Sequence, residues 1–326
     1  MIRPFLHDLS RDDPWVAGMA ESADLLSRAV YRVITTASHG EFAFPSIRDG
    51  VVAAGVSTEE GAEPFLIVTP QFAEEQAGYV GRGIQDAGIR SALTKLRAAF
   101  DQLRLRPPEA GWDELMSSVR VHVEPPPRAH WGLGDAANTT LKSGTFGGAV
   151  VRPGGDTALL TAGHVTSSWN DPQTQHGDQG KTEFEEEPFS WPTDTVCADV
   201  AVVSFGQGSP TSTQAINGYD VAYAGDSVDV HLRSGTVTDS INSYLDYIRY
   251  EDPNGNQSNA FVGACMRLSR AVTVAGDSGA AVTRSGSDVL LGHVVGGLNA
   301  PTVSYTLVQS IIWQLAAVRC KLADLP

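Results

Sequence analysis

The chain has 326 residues, of which 42% are hydrophobic and 19% are charged, a composition typical of globular proteins. This length is enough for two domains with a sizeable core. The formal net charge of −15 argues against nucleic acid and anionic membrane surfaces as partners. The sequence shows neither a signal-peptide pattern at its start nor an apolar run of membrane-spanning length.

The cysteines indicate the redox environment. Cys197, Cys265 and Cys320 are few, odd in number and far apart in the sequence, which is typical of free thiols in a reducing compartment. The sequence contains neither closely spaced cysteines nor a Cys/His cluster, so it does not indicate a zinc site. We therefore expect a cytoplasmic protein with reduced thiols that needs neither a metal ion nor an organic cofactor.

The amino-terminal third of the chain has the pattern of a helix followed by a small α/β domain. Within residues 1–44, Asp13 can cap a helix over residues 13–34 that has Pro14 at its first position. Residues 45–124 predict an accessory domain of β-β-α-β order. Its predicted elements are strands over Val51–Val56 and Phe65–Val68, a helix over Gly81–Leu103 and a strand over Val119–Val123.

The rest of the chain has a different pattern. Residues 125–143, which begin with three prolines, are interpreted as a linker. Residues 144–326 contain many short apolar runs separated by turn residues, which is typical of a β-sandwich or barrel. The segment Val308–Leu322 is apolar at helical spacing and predicts a terminal helix that packs on the barrel.

Three short motifs in this second part contain the residue types of a serine-hydrolase triad. They are Thr161-Ala162-Gly163-His164, Ala198-Asp199-Val200 and Gly276-Asp277-Ser278-Gly279. A serine hydroxyl is a weak nucleophile unless a base takes its proton, and the base needs a carboxylate to orient it. We therefore predict Ser278 as the nucleophile, His164 as the general base and Asp199 as the orienting acid.

The residues around these motifs fit the three roles. His164 follows an apolar run and Asp199 precedes one, so each is expected at the end of a strand. Gly276 would let the backbone N–H groups of Gly276 and Ser278 point into one oxyanion hole, which stabilises the charge that develops on the carbonyl oxygen.

The three motifs resemble the signature sequences of the trypsin-like (chymotrypsin-fold) serine peptidases over about residues 141 to 326. The resemblance implies a mainly β fold of two six-stranded barrels with a C-terminal helix, here preceded by the small α/β domain. Gly292–Gly297 resembles the family's substrate-binding strand, and Val303–Tyr305 its pocket-closing strand. Gly144–Gly148 behind an α/β domain is similar to intracellular bacterial and plant members without disulfides.

The resemblance also implies a specificity. Val165 and Val274 stand where secreted members carry cysteines, so the disulfide-stapled branch is not expected. Val272, Gly297 and Val303 match the primary specificity pocket, and none of them has a carboxylate. We therefore expect an apolar P1 residue rather than Lys or Arg, whose buried charge would lack a partner.

Asp277 bears on activation. In secreted members the Asp before the serine pairs with an amine that cleavage creates, but no activation site of the Arg-Ile-Val-Gly-Gly type precedes Gly147. We expect Asp277 to have an internal partner, because an unpaired buried carboxylate is costly. We also expect residues 45–124 to regulate or position the peptidase domain, alone or through a regulatory partner.

Other motifs have simpler interpretations. Gly225-Asp226-Ser227 lacks a following glycine and predicts a turn. The acidic run of Glu183 and Glu185–Glu187 predicts a solvated loop or, alternatively, a preference for basic residues in the substrate. Cys265 and the histidines outside the triad are interpreted as core or surface residues.

The sequence thus predicts a serine endopeptidase that cleaves proteins or peptides through an acyl-enzyme intermediate. A catalytically silent or regulated protease-like binding module and a serine esterase are the alternatives. The complete triad favours an enzyme, and the expected peptide-binding strand favours peptides over esters.

Overall fold

The computed structural model describes residues 50–57, 63–77, 119–129, 132–133, 142–152, 154–166, 180–192, 195–205, 216–252 and 254–322. The helices predicted over residues 13–34 and 81–103 lie outside this part of the chain. The described residues are mainly β-structure and belong to two compact units. The first unit takes in the residues up to Pro126 and Ser243–Arg249, and the second takes in Pro127–Asn242 and Tyr250 onward.

The strands are, in chain order, β1 (Val51–Ser57), β2 (Glu63–Val68), β3 (Arg120–Val123), β4 (Arg128–Ala129), β5 (Gly132–Leu133), β6 (Lys142–Ser143), β7 (Gly148–Val151), β8 (Thr157–Thr161), β9 (Gly180–Glu186), β10 (Val196–Cys197), β11 (Val200–Phe205), β12 (Gly218–Tyr219), β13 (Ser227–Leu232), β14 (Gly235–Ile248), β15 (Phe261–Leu268), β16 (Ala281–Arg284), β17 (Val289–Asn299), β18 (Ser304–Ser310) and β19 (Lys321–Leu322). The helices are α1 (Pro70–Ala77), α2 (Gly163–Thr166) and α3 (Ile311–Val318).

The first unit contains a four-stranded sheet in the order β14, β1, β2, β3, to which β14 contributes residues 243–248. The two pairings of β1 are antiparallel, and β2 pairs with β3 in parallel. The middle of β1 and of β2 is fully buried, because both strands are nearly continuous apolar runs of the kind that sheets covered on both faces contain. The three strands predicted in this region are confirmed to within two residues at each end.

The second unit contains a closed barrel. Its strands follow the order β15, β18, β17, β16, β13 and β14, and β14 also pairs with β15, so six strands form a ring. Residues 235–242 of β14 pair with β13, and the same strand then continues into the sheet of the first unit. This ring agrees with one of the two barrels that the sequence implied.

A second sheet of this unit has the order β19, β7, β8, β11, β9. The described residues therefore contribute five strands to it, where six were expected. Its apolar face forms a core with β17 and α3, which includes Val150, Leu160, Val200, Val202, Leu290, Ile311 and Leu315.

The carboxyl-terminal segment differs in part from its prediction. A helix was predicted over Val308–Leu322, but α3 covers only Ile311–Val318. Val308–Ser310 instead belong to β18, where they pair with β17, and Lys321–Leu322 pair with β7. The apolar spacing was correct for the helix itself, whereas the backbone partners on either side decided its ends. None of the helices in the described ranges is long and apolar enough to cross a membrane.

Candidate active site

His164 is carried on a single helical turn that follows β8. Gly163 opens this turn, and a Cβ there would lie 2.0 Å from the carbonyl oxygen of Glu186, so the close approach of β9 requires glycine. The His164 side chain is completely buried. The prediction that this histidine lies at a strand end is confirmed.

Asp199 lies directly before β11, as predicted, and its carboxylate faces His164. Oδ1 accepts the backbone N–H of His164 at 2.9 Å, and Oδ2 lies 2.6 Å from His164 Nδ1. Two contacts to one residue fix both the position of the helical turn and the plane of the imidazole ring. Asp199 is also completely buried, so bulk water does not weaken this pairing.

Ser278 completes the arrangement from a turn between β15 and β16. Its Oγ lies 2.9 Å from His164 Nε2, which is ordinary hydrogen-bond distance. Gly279, the next residue, has a φ of +89°, and a Cβ there would lie 2.0 Å from the carbonyl oxygen of Thr145. The Gly-Asp-Ser-Gly motif is therefore needed for the tight backbone that presents the serine.

Tyr250 is a fourth member of this cluster that the sequence did not reveal. Its phenol donates a hydrogen bond to Asp199 Oδ2, and its ring stands edge-on to that of His164 at 6.3 Å between centroids. Burial and the charge of Asp199 raise the pKa of Tyr250 well above its usual range. The phenol is therefore protonated at every physiological pH and can only donate to the carboxylate.

Two buried glutamines hold the backbone of Asp199. Gln309 Oε1 accepts its N–H at 2.9 Å, and Gln314 Nε2 donates to its carbonyl oxygen at 3.3 Å. Gln314 Oε1 also lies 2.7 Å from Nδ1 of His293, which is fully buried. This histidine is thus a core residue, in line with its interpretation from the sequence.

The turn that carries Ser278 is braced by Thr145. The backbone N–H of Thr145 donates to the Ser278 carbonyl at 2.7 Å, and its hydroxyl donates to the Gly276 carbonyl at 3.2 Å. Thr161 Oγ1 donates in turn to the Thr145 carbonyl at 2.8 Å. The end of β8 and the serine turn are therefore linked through one residue.

The acidic run was predicted to be a solvated loop, but most of it belongs to a strand. The alternative, a preference for basic residues in the substrate, stays a prediction. Residues 180–186 form β9, and Glu187 is buried directly after it. Glu186 accepts the N–H of Ala198, Glu187 that of Phe189, and Glu185 the hydroxyl of Thr166. Burial raises the pKa of Glu186, although its bond to Ala198 opposes this. These carboxylates are occupied in fixing the backbone beside Asp199 and His164.

The backbone N–H groups of Gly276 and Ser278 were predicted to form the oxyanion hole. Gly276 has a φ of +98°, a conformation that favours glycine. Within the described ranges, neither the N–H of Gly276 nor that of Ser278 donates a hydrogen bond to the protein. Both groups therefore remain available for another acceptor.

Asp277 has an internal partner. Its Oδ2 accepts the N–H of Val274 at 2.9 Å, while its own N–H donates to the Val274 carbonyl. Burial raises the pKa of Asp277, and the bond from Val274 and the charge of Arg233 partly offset this.

The residues predicted for the specificity pocket lie around the start of β18. The N–H of Val272 donates to Thr306 Oγ1 at 3.0 Å, and Gly297 is the partner of Thr306 across β17 and β18. Val303 lies in the turn that joins these strands. Thr306 thus bonds to Val272 and pairs with Gly297. Val303 precedes Thr306 by three residues in the chain.

The second Gly-Asp-Ser segment forms a turn, as predicted. The N–H of Asp226 donates to the carbonyl of Tyr223, Gly225 has a φ of +84°, and Ser227 begins β13. The described residues contain no group of three or more His, Cys, Asp or Glu side chains arranged to hold a metal ion.

Solved structures that resemble this chain include several proteases. A protease from Nocardiopsis is 20% identical, covers 60% of this chain and 97% of its own, and has a TM-score of 0.44. Protease A of Thermobifida fusca is 20% identical, with 61% and 96% covered and a TM-score of 0.42. A glutamic-acid-specific serine protease, described as using a histidine triad in substrate binding, is 20% identical, with 54% and 91% covered and a TM-score of 0.42.

No protein-family model matches the chain, and neither does any curated protein.

Proposed function

We propose that the protein is a serine endopeptidase in which Ser278 is the nucleophile, His164 the general base and Asp199 the orienting acid. One observation carries this proposal: a buried, continuous chain of contacts runs from Ser278 Oγ through His164 to Asp199 Oδ2, with distances of 2.9 and 2.6 Å. A nucleophile held by a base that is itself held by a carboxylate is the arrangement that acyl transfer needs.

The roles follow from the atoms in contact. Ser278 Oγ attacks the scissile carbonyl while His164 Nε2 takes its proton, and His164 later gives that proton to the leaving amine. Asp199 keeps the Nδ1 proton in place and stabilises the imidazolium. The N–H groups of Gly276 and Ser278 bind the oxyanion. Water then attacks the acyl-enzyme by the same route, which releases the product and restores Ser278.

A fluorophosphonate probe tests the nucleophile directly. We expect the wild-type protein to be labelled at Ser278 and Ser278→Ala to lose both labelling and turnover, the latter by several orders of magnitude. Ser227→Ala is the matched control, since Ser227 also follows Gly-Asp but begins a strand, and it should be labelled normally. Labelling of Ser278→Ala, or loss of labelling in Ser227→Ala, would contradict the assignment.

Substrate panels separate the proposed activity from its alternatives. A probe-reactive protein that cleaves peptides faster than matched esters is an endopeptidase, and one that cleaves only esters is an esterase. A protein that binds peptides without reacting with the probe is a binding module.

We further propose an apolar P1 preference. Val272 and Val303 are half-buried and Gly297 is buried, and none of the three can neutralise a positive charge. A Lys or Arg side chain there would be desolvated without a partner. A peptide library should therefore show cleavage after apolar residues, and strict cleavage after Lys or Arg would refute the assignment of these positions.

We also propose that residues 45–124 regulate or position the peptidase domain, alone or through a partner protein. Asp277 already has its acceptor contact within the turn, which supports activity without a newly cleaved amino terminus. The undigested chain should then be active as purified or after a partner is added. A strict requirement for a new amine between Pro127 and Gly147 would contradict this.

A further inference from the structure

β17 has one edge that leads to the serine turn. β18 covers the other edge from Gly292 to Asn299, whereas β16 pairs with β17 only as far as His293. The next contacts on that side come from the serine turn itself: the N–H of Gly279 donates to the Val294 carbonyl at 2.7 Å, and the Val294 N–H donates to Ala280. The side of residues 295–299 that faces away from β18, here named the β17 edge, therefore starts beside Ser278.

The chain itself occupies this edge. Arg128 and Ala129, which form β4, pair antiparallel with Gly297 and Gly296. On the far side of β4, the N–H of Ala129 donates to the Glu251 carbonyl at 2.9 Å, and the N–H of Glu251 donates to the Pro127 carbonyl at 2.8 Å. Residues 127–129 are thus bound between two backbone segments, and the Ala129 side chain is buried.

β4 runs along the β17 edge towards the serine turn. Its chain advances from Gly297 towards Val294, which is towards the serine turn. A strand rises by about 3.4 Å per residue, so Val294 lies roughly 7 Å beyond Gly296 along the edge. An extended peptide that pairs in the same register would therefore be guided to Ser278, because exposed strand edges bind extended peptides through backbone hydrogen bonds.

Gly296 permits the close approach. A Cβ at position 296 would lie 2.5 Å from the carbonyl oxygen of Arg128, so any side chain there would push the paired segment away. The three prolines that precede Arg128 favour an extended backbone, which lowers the entropy cost of holding the segment on the edge. β4 is nevertheless only two residues long, so few hydrogen bonds must break for it to leave.

We propose that residues 127–129 are an internal competitor of the substrate, which must leave the β17 edge before a peptide can pair there. This inference rests on the proposed peptidase function. The competitor accounts for how the chain could be regulated without a cleaved terminus: whatever draws the segment away from the edge opens the site.

Peptide binding in the Ser278→Ala background tests the competitor independently of catalysis. The probe is a fluorescein-labelled peptide with the sequence of residues 124–133, measured by anisotropy, with a scrambled peptide as its control. Ala129→Pro removes the N–H that binds the Glu251 carbonyl and puts a ring at a buried position. We expect this variant to bind the peptide roughly tenfold more tightly than its parent.

Ala224→Pro is the matched control, because Ala224 is exposed and follows Tyr223 in a tight turn, where proline is well tolerated. It should bind the peptide as the parent does. Ala129→Asp, which puts a carboxylate at the same buried position, is the second variant should Ala129→Pro unfold, as judged by thermal melting.

The outcomes distinguish a failure of the internal competitor from a failure of the proposed peptidase function. In the catalytically intact chain, Ala129→Pro should raise kcat/KM for peptides and leave fluorophosphonate labelling unchanged. Equal peptide binding by folded Ala129 variants and their parent, or no binding by any of them, overturns the competitor. Absence of labelling in the wild-type chain instead overturns the peptidase function, whatever the binding result.

Discussion

At the scale of single residues, the carboxylate of Asp199 is held by three hydrogen-bond donors. Its Oδ2 accepts from both His164 and Tyr250, and its Oδ1 accepts a backbone N–H. A buried carboxylate with three donors is stabilised without a positive charge beside it. The phenol and the imidazole contact the same carboxylate oxygen, so the phenol helps to hold Asp199 in the position that orients the base.

Tyr250→Phe removes this donor and keeps the ring. We expect kcat to fall roughly tenfold or more, since hydrogen bonds to charged groups are the strong ones. The fall should appear in kcat rather than in KM, because Asp199 contacts the general base and not the substrate-binding strand. Tyr247→Phe, at another buried tyrosine, is the control. A folded Tyr250→Phe variant with unchanged kcat would show that the phenol only fills space.

The sequence predicted the three chemical groups of the site but not their supports. His164, Asp199 and Ser278 each lie next to an apolar run or between glycines, so local pattern located them. Tyr250, Thr145, Gln309 and Gln314 reach the site from distant parts of the chain, and nothing in their local sequence distinguishes them from other polar residues. Only the fold brings them to Asp199 and to the serine turn.

At the scale of elements, the turn over residues 274–279 depends on the ionisation of Asp277. Burial raises the pKa of this carboxyl in the folded protein, so the folded state binds the proton more tightly than the unfolded chain does. Its contribution to stability is present below the unfolded pKa and is lost as pH rises through the folded pKa.

Asp277→Asn should therefore gain stability relative to wild type as pH rises through that window, because the amide can still accept from Val274. Urea unfolding at a series of pH values in the Ser278→Ala background measures this without self-digestion. Equal pH dependence of the two proteins would contradict the prediction. Activity should survive in Asp277→Asn, whereas a salt bridge to a cleaved terminus would make the substitution abolish it.

At the scale of the whole molecule, the three cysteines should be chemically quiet. All three are free, and Cys197 and Cys265 are buried. Burial raises the pKa of both thiols well above the usual range, the charge of Asp199 adds to this, and burial also raises that of Cys320. The protonated thiol is a much weaker nucleophile than the thiolate, so these cysteines should react slowly in the folded protein.

Alkylation of the native protein without reductant should therefore be slow, and three labels should appear on unfolding, as counted by intact mass. Ser278→Ala should give the same count. An intramolecular disulfide in the freshly purified protein would count against a reducing location.

Much of the fold could be predicted from apolar periodicity and turn residues, because these reflect local burial. The predicted strands over Val51–Val56 and Phe65–Val68 and the β-rich second part are examples. Such patterns do not predict the pairing of a strand that has two different partners along its length. β14 is 14 residues long, and no feature of its sequence marks the point at which its pairing passes from β13 to β1.

That divided strand has a consequence for handling the protein. A chain shortened to begin near residue 127 would lose β1 yet keep residues 243–248, whose backbone groups β1 otherwise satisfies. The five residues of β14 that pair with β1 would be left as an exposed strand edge of the kind that recruits other chains. A single cut in the polypeptide therefore cannot separate the two units, because the sheet of the first unit contains residues from both sides of such a cut. A shortened chain would need a replacement for β1 or a cover for residues 243–248.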